Sequence, residues 1–265
     1  MTTIPIYQID AFTAALFAGN PAAVCPLDAW LDTATLQAIA AENNLAETAF
    51  FVSGGAEDAD YALRWFTPTA EVDLCGHATL ASAFVVFNRI RPDACSVRFS
   101  SRSGILTVTR AGDLLALDFP ALPADPCDVP AALIEGLGDA PQEVRLASHY
   151  LAVFETAADI AALAPDMGIL ATLHPRGVIA TAPGAVEGVD FVSRFFAPSF
   201  GIPEDPVTGS AHCTLVPYWA QRLGRDHLMA RQISTRGGEL ICDARGDRVG
   251  IAGRAMLYLE GTIIV

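Results

Sequence analysis

Short apolar runs and two-residue alternations dominate this chain, and only a few stretches shift to helical spacing. "IPIYQIDAF" (4–12) and "AAVCPL" (22–27) predict strands on either side of the turn "AGNP" (18–21). "DTATLQAIAAENN" (32–44) predicts a helix with Asp32 or Thr33 as N-cap and Leu36, Ile39 and Ala40 on one face. Further strands are predicted over 47–52, 61–66, 96–101, 104–110 and 114–119. "PALPADPCDVP" (120–130) is proline-rich without a period, so a domain boundary falls there. The second half predicts a helix at 130–137, strands at 150–155, 177–181 and 190–196, and a helix at about 209–223. Strands at 231–235, 238–243, 247–252 and 255–265 complete it.

One stretch stands apart. In "EVDLCGHATLASAFVVF" (71–87) a polar segment gives way at Cys75-Gly76-His77 to ten almost wholly apolar residues. A helix apolar on every side must be enclosed, and a sheet wrapped around it is the simplest enclosure. The pattern recurs: "RWFTPTAEVDLCGHATLA" from Arg64 is matched by "RFFAPSFGIPEDPVTGSAHCT" from Arg194, with Gly76 and Gly209 in corresponding places, 209 − 76 = 133 residues apart. Strand, proline, loop, glycine and helix repeating at half-length spacing imply two similarly built domains. The prediction is an α+β protein of two pseudo-symmetric halves, each a barrel-like curved sheet around a central apolar helix. The N-terminal domain spans 1–118 plus a returning strand at about 257–265 ("LYLEGTIIV"), and the C-terminal domain spans 119–256.

The first turn of each such helix carries N–H groups without intrahelical partners at the positive end of the dipole, which suits an anion. Gly76 and Gly209-Ser210 would let a small carboxylate approach closely; small residues that merely permit tight packing are the alternative. His77 falls in that first turn, where the dipole disfavours a ring proton. A neutral imidazole there donates one hydrogen bond and accepts another, or shuttles a proton; a satisfied structural histidine fits equally well. Glu47, at the head of "ETAFFV", is costly unless used or paired, and partial desolvation would tune it as a general acid/base; an exposed acid at a strand entrance is the plain alternative. Asp205 in "EDPVTGS" caps the second helix or orients a substrate amine. Ser210 and His212 stand at i and i+2 on one helix, which points them apart, and no G-x-S-x-G elbow is present, so a hydrolase triad is disfavoured. His149, His174 and His227 lack ligand-like spacing and are read as structural.

Bulk composition narrows the classes. The 265 residues are 52% hydrophobic and 17% charged, enough for a large core. A net charge of −14 argues against nucleic acid and anionic membrane surfaces. No run reaches the ~18–20 apolar residues of a spanning helix, and "MTTIPIYQID" is not a secretory signal. Six cysteines without CxxC spacing predict reduced thiols in a cytoplasmic protein and no metal centre.

"DAFTAALFAGNPAAVC", "NNLAETAFFV", "RWFTPTAEVDLCGHATLA", "LDFPALP" and "EDPVTGSAH" together resemble the phenazine-biosynthesis isomerase (PhzF) family, of the diaminopimelate-epimerase-like fold, from near residue 8 to the C-terminus. The resemblance implies two pseudo-symmetric domains, a cleft between them that takes a small anionic substrate, a homodimer, and no metal or organic cofactor. It places the proton-moving glutamate on Glu47, and substrate-holding groups on His77, Asp205 and Ser210, with helix-end amides from Gly76 and Gly209. Related epimerases and proline racemases use two opposed cysteines; here Cys75 takes the first place and Thr208 the second. A hydroxyl is too weak an acid to replace that thiol, so two-thiol racemisation is disfavoured, while Cys75 itself is either a participant or a small buried residue. Three readings stand: an isomerase shifting a proton within a small unsaturated or amino-acid-like carboxylic acid; an amino-acid racemase or epimerase using Cys75; and a non-catalytic binding protein that kept the fold. Cys75 opposite Thr208 counts against the second, and the joint presence of Glu47, His77, Asp205 and Ser210 against the third.

Overall fold

A computed structural model describes all residues, Met1–Val265. The fold is mixed α+β, and the chain divides into two compact units. One comprises Met1–Asp118 with Ala252–Val265, the other Phe119–Ile251. The C-terminal return therefore begins at Ala252, not at about 257, and the second unit ends at Ile251, not 256. The reason is register: Ala255 already pairs with Ala11, and the strand Ala255–Ile264 runs antiparallel to Thr3–Ala11 along its whole length.

In the first unit, Thr3–Ala11 also pairs antiparallel with Asn20–Leu27, which runs parallel to Glu47–Ser53. Glu47–Ser53 is antiparallel to Tyr61–Phe66, which lies parallel to Ser96–Ser101; Gly104–Ala111 and Leu114–Pro120 continue by hairpins. The helix Gly76–Val85 packs against Thr3–Ala11, Asn20–Leu27, Glu47–Ser53, Gly104–Ala111 and Ala255–Ile264, strands from both ends of this series. Its own hydroxyls are satisfied internally: Thr79 Oγ1 donates to the Cys75 carbonyl (2.5 Å) and Ser82 Oγ to that of Ala78 (2.7 Å). The apolar pattern predicts helix to 87, but a π-helical turn, Val86–Ile90, takes over after Val85. Asp32 is the cap of Thr33–Asn43, its carboxylate accepting from Thr35 N–H, and Leu36, Ile39 and Ala40 face inward.

In the second unit, Tyr150–Val153 runs parallel to Val178–Pro183, which is antiparallel to Phe191–Ala197, itself parallel to His227–Gln232. His227–Gln232 lies four residues ahead of the predicted 231–235, because Leu228, Ala230 and Gln232 face inward and the last of these reads as polar in sequence. Two short helices, Ala157–Ala162 and Met167–Ala171, occupy a stretch for which the pattern predicts no element. Thr156 and Asp166 cap them. The helix Gly209–Leu223 contains Pro217, which has no N–H for the Cys213 carbonyl four residues back; the N–H of Leu122 supplies that bond instead (2.9 Å). Trp219 stacks on Phe191 with 5.7 Å between centroids and donates to Thr181 Oγ1 (3.0 Å).

Gly19 holds the connection into Asn20. Its φ is +67°, and a Cβ would lie 2.2 Å from the Ala11 carbonyl oxygen and 2.7 Å from Thr13 Cγ2. Gly112 has a similar φ of +64° but open space around it. Denaturant titration of both alanine variants separates backbone conformation from crowding: G112A loses about 1 kcal/mol, and G19A at least ~2 kcal/mol because overpacking adds to it. Equal losses would show that the Gly19 loop yields freely.

Candidate active site

Two parallel strands bring their starts to the same end of the sheet, so Asn20 and Glu47, which open Asn20–Leu27 and Glu47–Ser53, both reach the start of the helix Gly76–Val85. The chain enters Glu47–Ser53 directly from the preceding helix, which ends on the left-handed Asn44 (φ 49°), while Asn43 donates to Thr48 Oγ1 (3.1 Å). Glu47 is thereby drawn inward and is only 8% exposed; Cys75 is 6% and His77 4% exposed.

The His77 ring is addressed from both sides. The Asn20 side-chain amide lies 3.1 Å from Nδ1, and Cys75 Sγ lies 3.6 Å from the same nitrogen. Glu47 Oε2 is 3.1 Å from Nε2. That last contact is within ion-pair reach but off line for a directed hydrogen bond, and both atoms otherwise lack a hydrogen-bond partner. Buried polar atoms in that condition are uncommon.

Electrostatics reverse one expectation. The dipole of the first turn predicts a ring that resists protonation, and burial acts in that direction too. Yet its contacts with Cys75 and Glu47 outweigh burial and hold the His77 pKa well above the ordinary histidine value. Cys75 moves oppositely: burial first, then the Glu47 charge, push its thiol up to about 11, so it is a thiol at neutral pH.

In the second unit the start of Gly209–Leu223 is built from hydroxyl and amide groups. Asp205 Oδ2 accepts from Thr208 Oγ1 at 2.5 Å. Gln232, fully buried, accepts from the Thr208 backbone N–H (2.8 Å) and donates to the Asp205 carbonyl (2.7 Å) and Thr208 Oγ1 (3.2 Å). Thr208 thus spends its proton on Asp205. Ser210 is half-buried beside Gly209. His212 does not pair with it; its Nδ1 lies 2.8 Å from the Thr208 carbonyl inside the helix, and burial lowers its pKa to about 4. His149 accepts from the Gly177 N–H (3.0 Å) and His227 pairs with Asp243 (2.8 Å), structural places for both.

The N-cap residues of the two helices, Cys75 and Thr208, are extended and their side chains make no capping bond, unlike Asp32, Thr156 and Asp166. Sequence reasoning passed over Asn20 and Gln232. Asn20 reads as a turn residue in "AGNP", and nothing in the sequence shows its side chain turning inward. Gln232 had a usable signal, its place in period two with Leu228 and Ala230.

A family model, "Phenazine biosynthesis-like protein" (PhzC-PhzF), matches residues 9–261. A Pseudomonas aeruginosa protein described as an uncharacterized isomerase is 55% identical over 260 residues, 98% of each chain. A crystal structure of a PhzF-family phenazine biosynthesis protein from Enterococcus faecalis matches with a TM-score of 0.94 at 44% identity over 100% of both chains. A hydroxyproline epimerase from Agrobacterium vitis shares the fold alone, with a TM-score of 0.62 and 11% identity over 98% of this chain and 92% of that one.

The two helix histidines should titrate in opposite senses. In 15N-detected NMR at pH 6.5 the His77 ring is charged, whereas the His212 ring, with its pKa of about 4, is neutral. A neutral His77 at that pH would show that burial outweighs Glu47 and Cys75.

Proposed function

The chain belongs to the phenazine biosynthesis-like PhzC-PhzF family, and from that premise we propose that it is a cofactor-independent isomerase moving a proton within a small unsaturated or amino-acid-like carboxylic acid. One observation carries the reading: Glu47 Oε2, buried and without a directed hydrogen bond, stands 3.1 Å from the equally unpartnered Nε2 of His77. A carboxylate so placed takes a proton from one carbon as the double bond shifts. The resulting acid returns the proton to another carbon of the same molecule, so atoms and charge balance without an external reagent. A charged His77 offers positive charge to the electron-rich intermediate. Gly76 and His77, with Asp205, Gly209 and Ser210, are assigned to substrate binding, since the first turns of both helices present backbone N–H groups that suit a carboxylate.

The reading includes pseudo-symmetry of the two units, and strand register supports it. Trp65 and Phe66 pair with Val72 and Glu71, as Phe195 and Phe196 pair with Asp205 and Glu204. At both places an arginine grips the glutamate with two bonds: Arg64 to Glu71 at 2.7 and 2.8 Å, and Arg194 to Glu204 at 2.7 and 3.0 Å. A homodimer and a biosynthetic role are carried by the resemblance alone, and a cytoplasmic location by six cysteines without CxxC spacing. No helix is long and apolar enough to cross a membrane.

A racemase using Cys75 is the second reading, favoured by the position of Sγ 3.6 Å from His77. Against it stand a thiol pushed up to about 11 and a Thr208 hydroxyl committed to Asp205.

A metabolite screen for solvent deuterium incorporation identifies the substrate. On it, Glu47→Gln keeps shape but removes the titratable group, and turnover falls at least ~100-fold, while Cys75→Ala costs much less. Activity surviving in Glu47→Gln and lost in Cys75→Ala would replace the isomerase reading with the racemase one.

A further inference from the structure

Glu47, Cys75 and His77 have a second property that proton transfer does not use. One ligand-type atom from each, a carboxylate oxygen, a thiol sulfur and an imidazole nitrogen, all lie within 4.8 Å of one another. Donors around a tetrahedral zinc stand about 3.3–3.8 Å apart, given bonds of ~2.0–2.3 Å; Glu47 Oε2, 3.1 Å from Nε2, would move slightly outward, and Cys75 Sγ, now against Nδ1, would swing toward Nε2 to close the set on one ion. Nε2 of the ring faces Glu47 with no directed hydrogen bond, while Asn20 Nδ2 and Cys75 Sγ both lie against Nδ1; for Nε2 to take the ion, the Asn20 amide turns its oxygen to accept from the Nδ1–H. All three residues are more than nine-tenths buried, yet each retains a sliver of exposure, unlike His212, which is fully enclosed.

We propose that this cluster is an inhibitory site for a thiophilic divalent cation of the zinc or cadmium class. Sulfur, nitrogen and one oxygen select borderline and soft ions over magnesium or calcium, which want oxygen cages. Three protein donors leave a fourth position for water. On binding, the Cys75 S–H bond breaks and the sulfur joins the metal. That proton, together with the His77 ring proton where present, passes to solvent, so affinity rises with pH. The bound ion occupies the oxygen and the nitrogen on which the isomerase reading depends, and so blocks that chemistry. Metal binding itself does not depend on that reading.

Cobalt(II) titration of the purified full-length protein tests this directly. The expected result is a thiolate-to-cobalt charge-transfer band saturating at one ion per chain, displaced by zinc and stronger at pH 8 than at pH 6.5. Cys75→Ala and Cys75→Ser abolish the band, and Glu47→Gln and His77→Gln each weaken binding at least ~10-fold. Replacing the exposed Cys95 and half-buried Cys127 together changes nothing. Zinc also slows alkylation of Cys75 in the unaltered protein, read by mass spectrometry, which needs no variant to fold. The proposal is overturned if the band survives in both Cys75 variants, if it follows Cys95 and Cys127, or if zinc leaves Cys75 alkylation unchanged. Where an assay exists, zinc binding without loss of turnover would keep the site and overturn its inhibitory role. Normal zinc binding with an inert Glu47 would instead count against the isomerase reading alone.

Discussion

Everything at this site follows from a helix with no face that tolerates water. Nine of the ten residues of Gly76–Val85 are buried, so strands must cover it on all sides. Only its ends can then meet polar chemistry, and its start is where the chain places Cys75, Gly76 and His77. Enclosure of the body makes the first turn a place where charge is felt strongly, because screening by water is weak there. Burial of a histidine and a carboxylate at that point is tolerable only because they lie against each other.

The second central helix shows what the same geography does without a carboxylate. His212 is as deeply placed as His77, but its near neighbour is a backbone carbonyl, and burial alone sets its direction, toward the neutral ring. His77 moves the other way because Glu47 and Cys75 stand beside it. The contrast sets the two histidines apart by their neighbours alone. The second unit offers a network of Asp205, Thr208 and Gln232 whose hydrogen bonds are short and mutually satisfied, suited to holding rather than exchanging.

Much of this was legible in the chain. The apolar run after His77 announces an enclosed helix, and the apolar spacing after Gly209 announces another, Gly209–Leu223. Glu47 is conspicuous as a lone acid at the head of "TAFFV". These are local signals: hydrophobic period, turn chemistry and the cost of burying charge act over a few residues, and a sequence displays them directly.

What tertiary structure alone decided is which side chains meet. Asn20 is 57 residues from His77 and Gln232 is 24 from Thr208, yet each is a direct partner. The approach of Glu47 to His77 arises from the parallel pairing of two strands around a helix contributed later in the chain. The direction of the His77 pKa was misread for the same reason. The helix dipole is written in the local sequence, and so is Cys75 two residues before the ring, but Glu47, which joins Cys75 in raising the pKa, arrives only when the sheet closes; electrostatic energy depends on distance in space, not on separation along the chain.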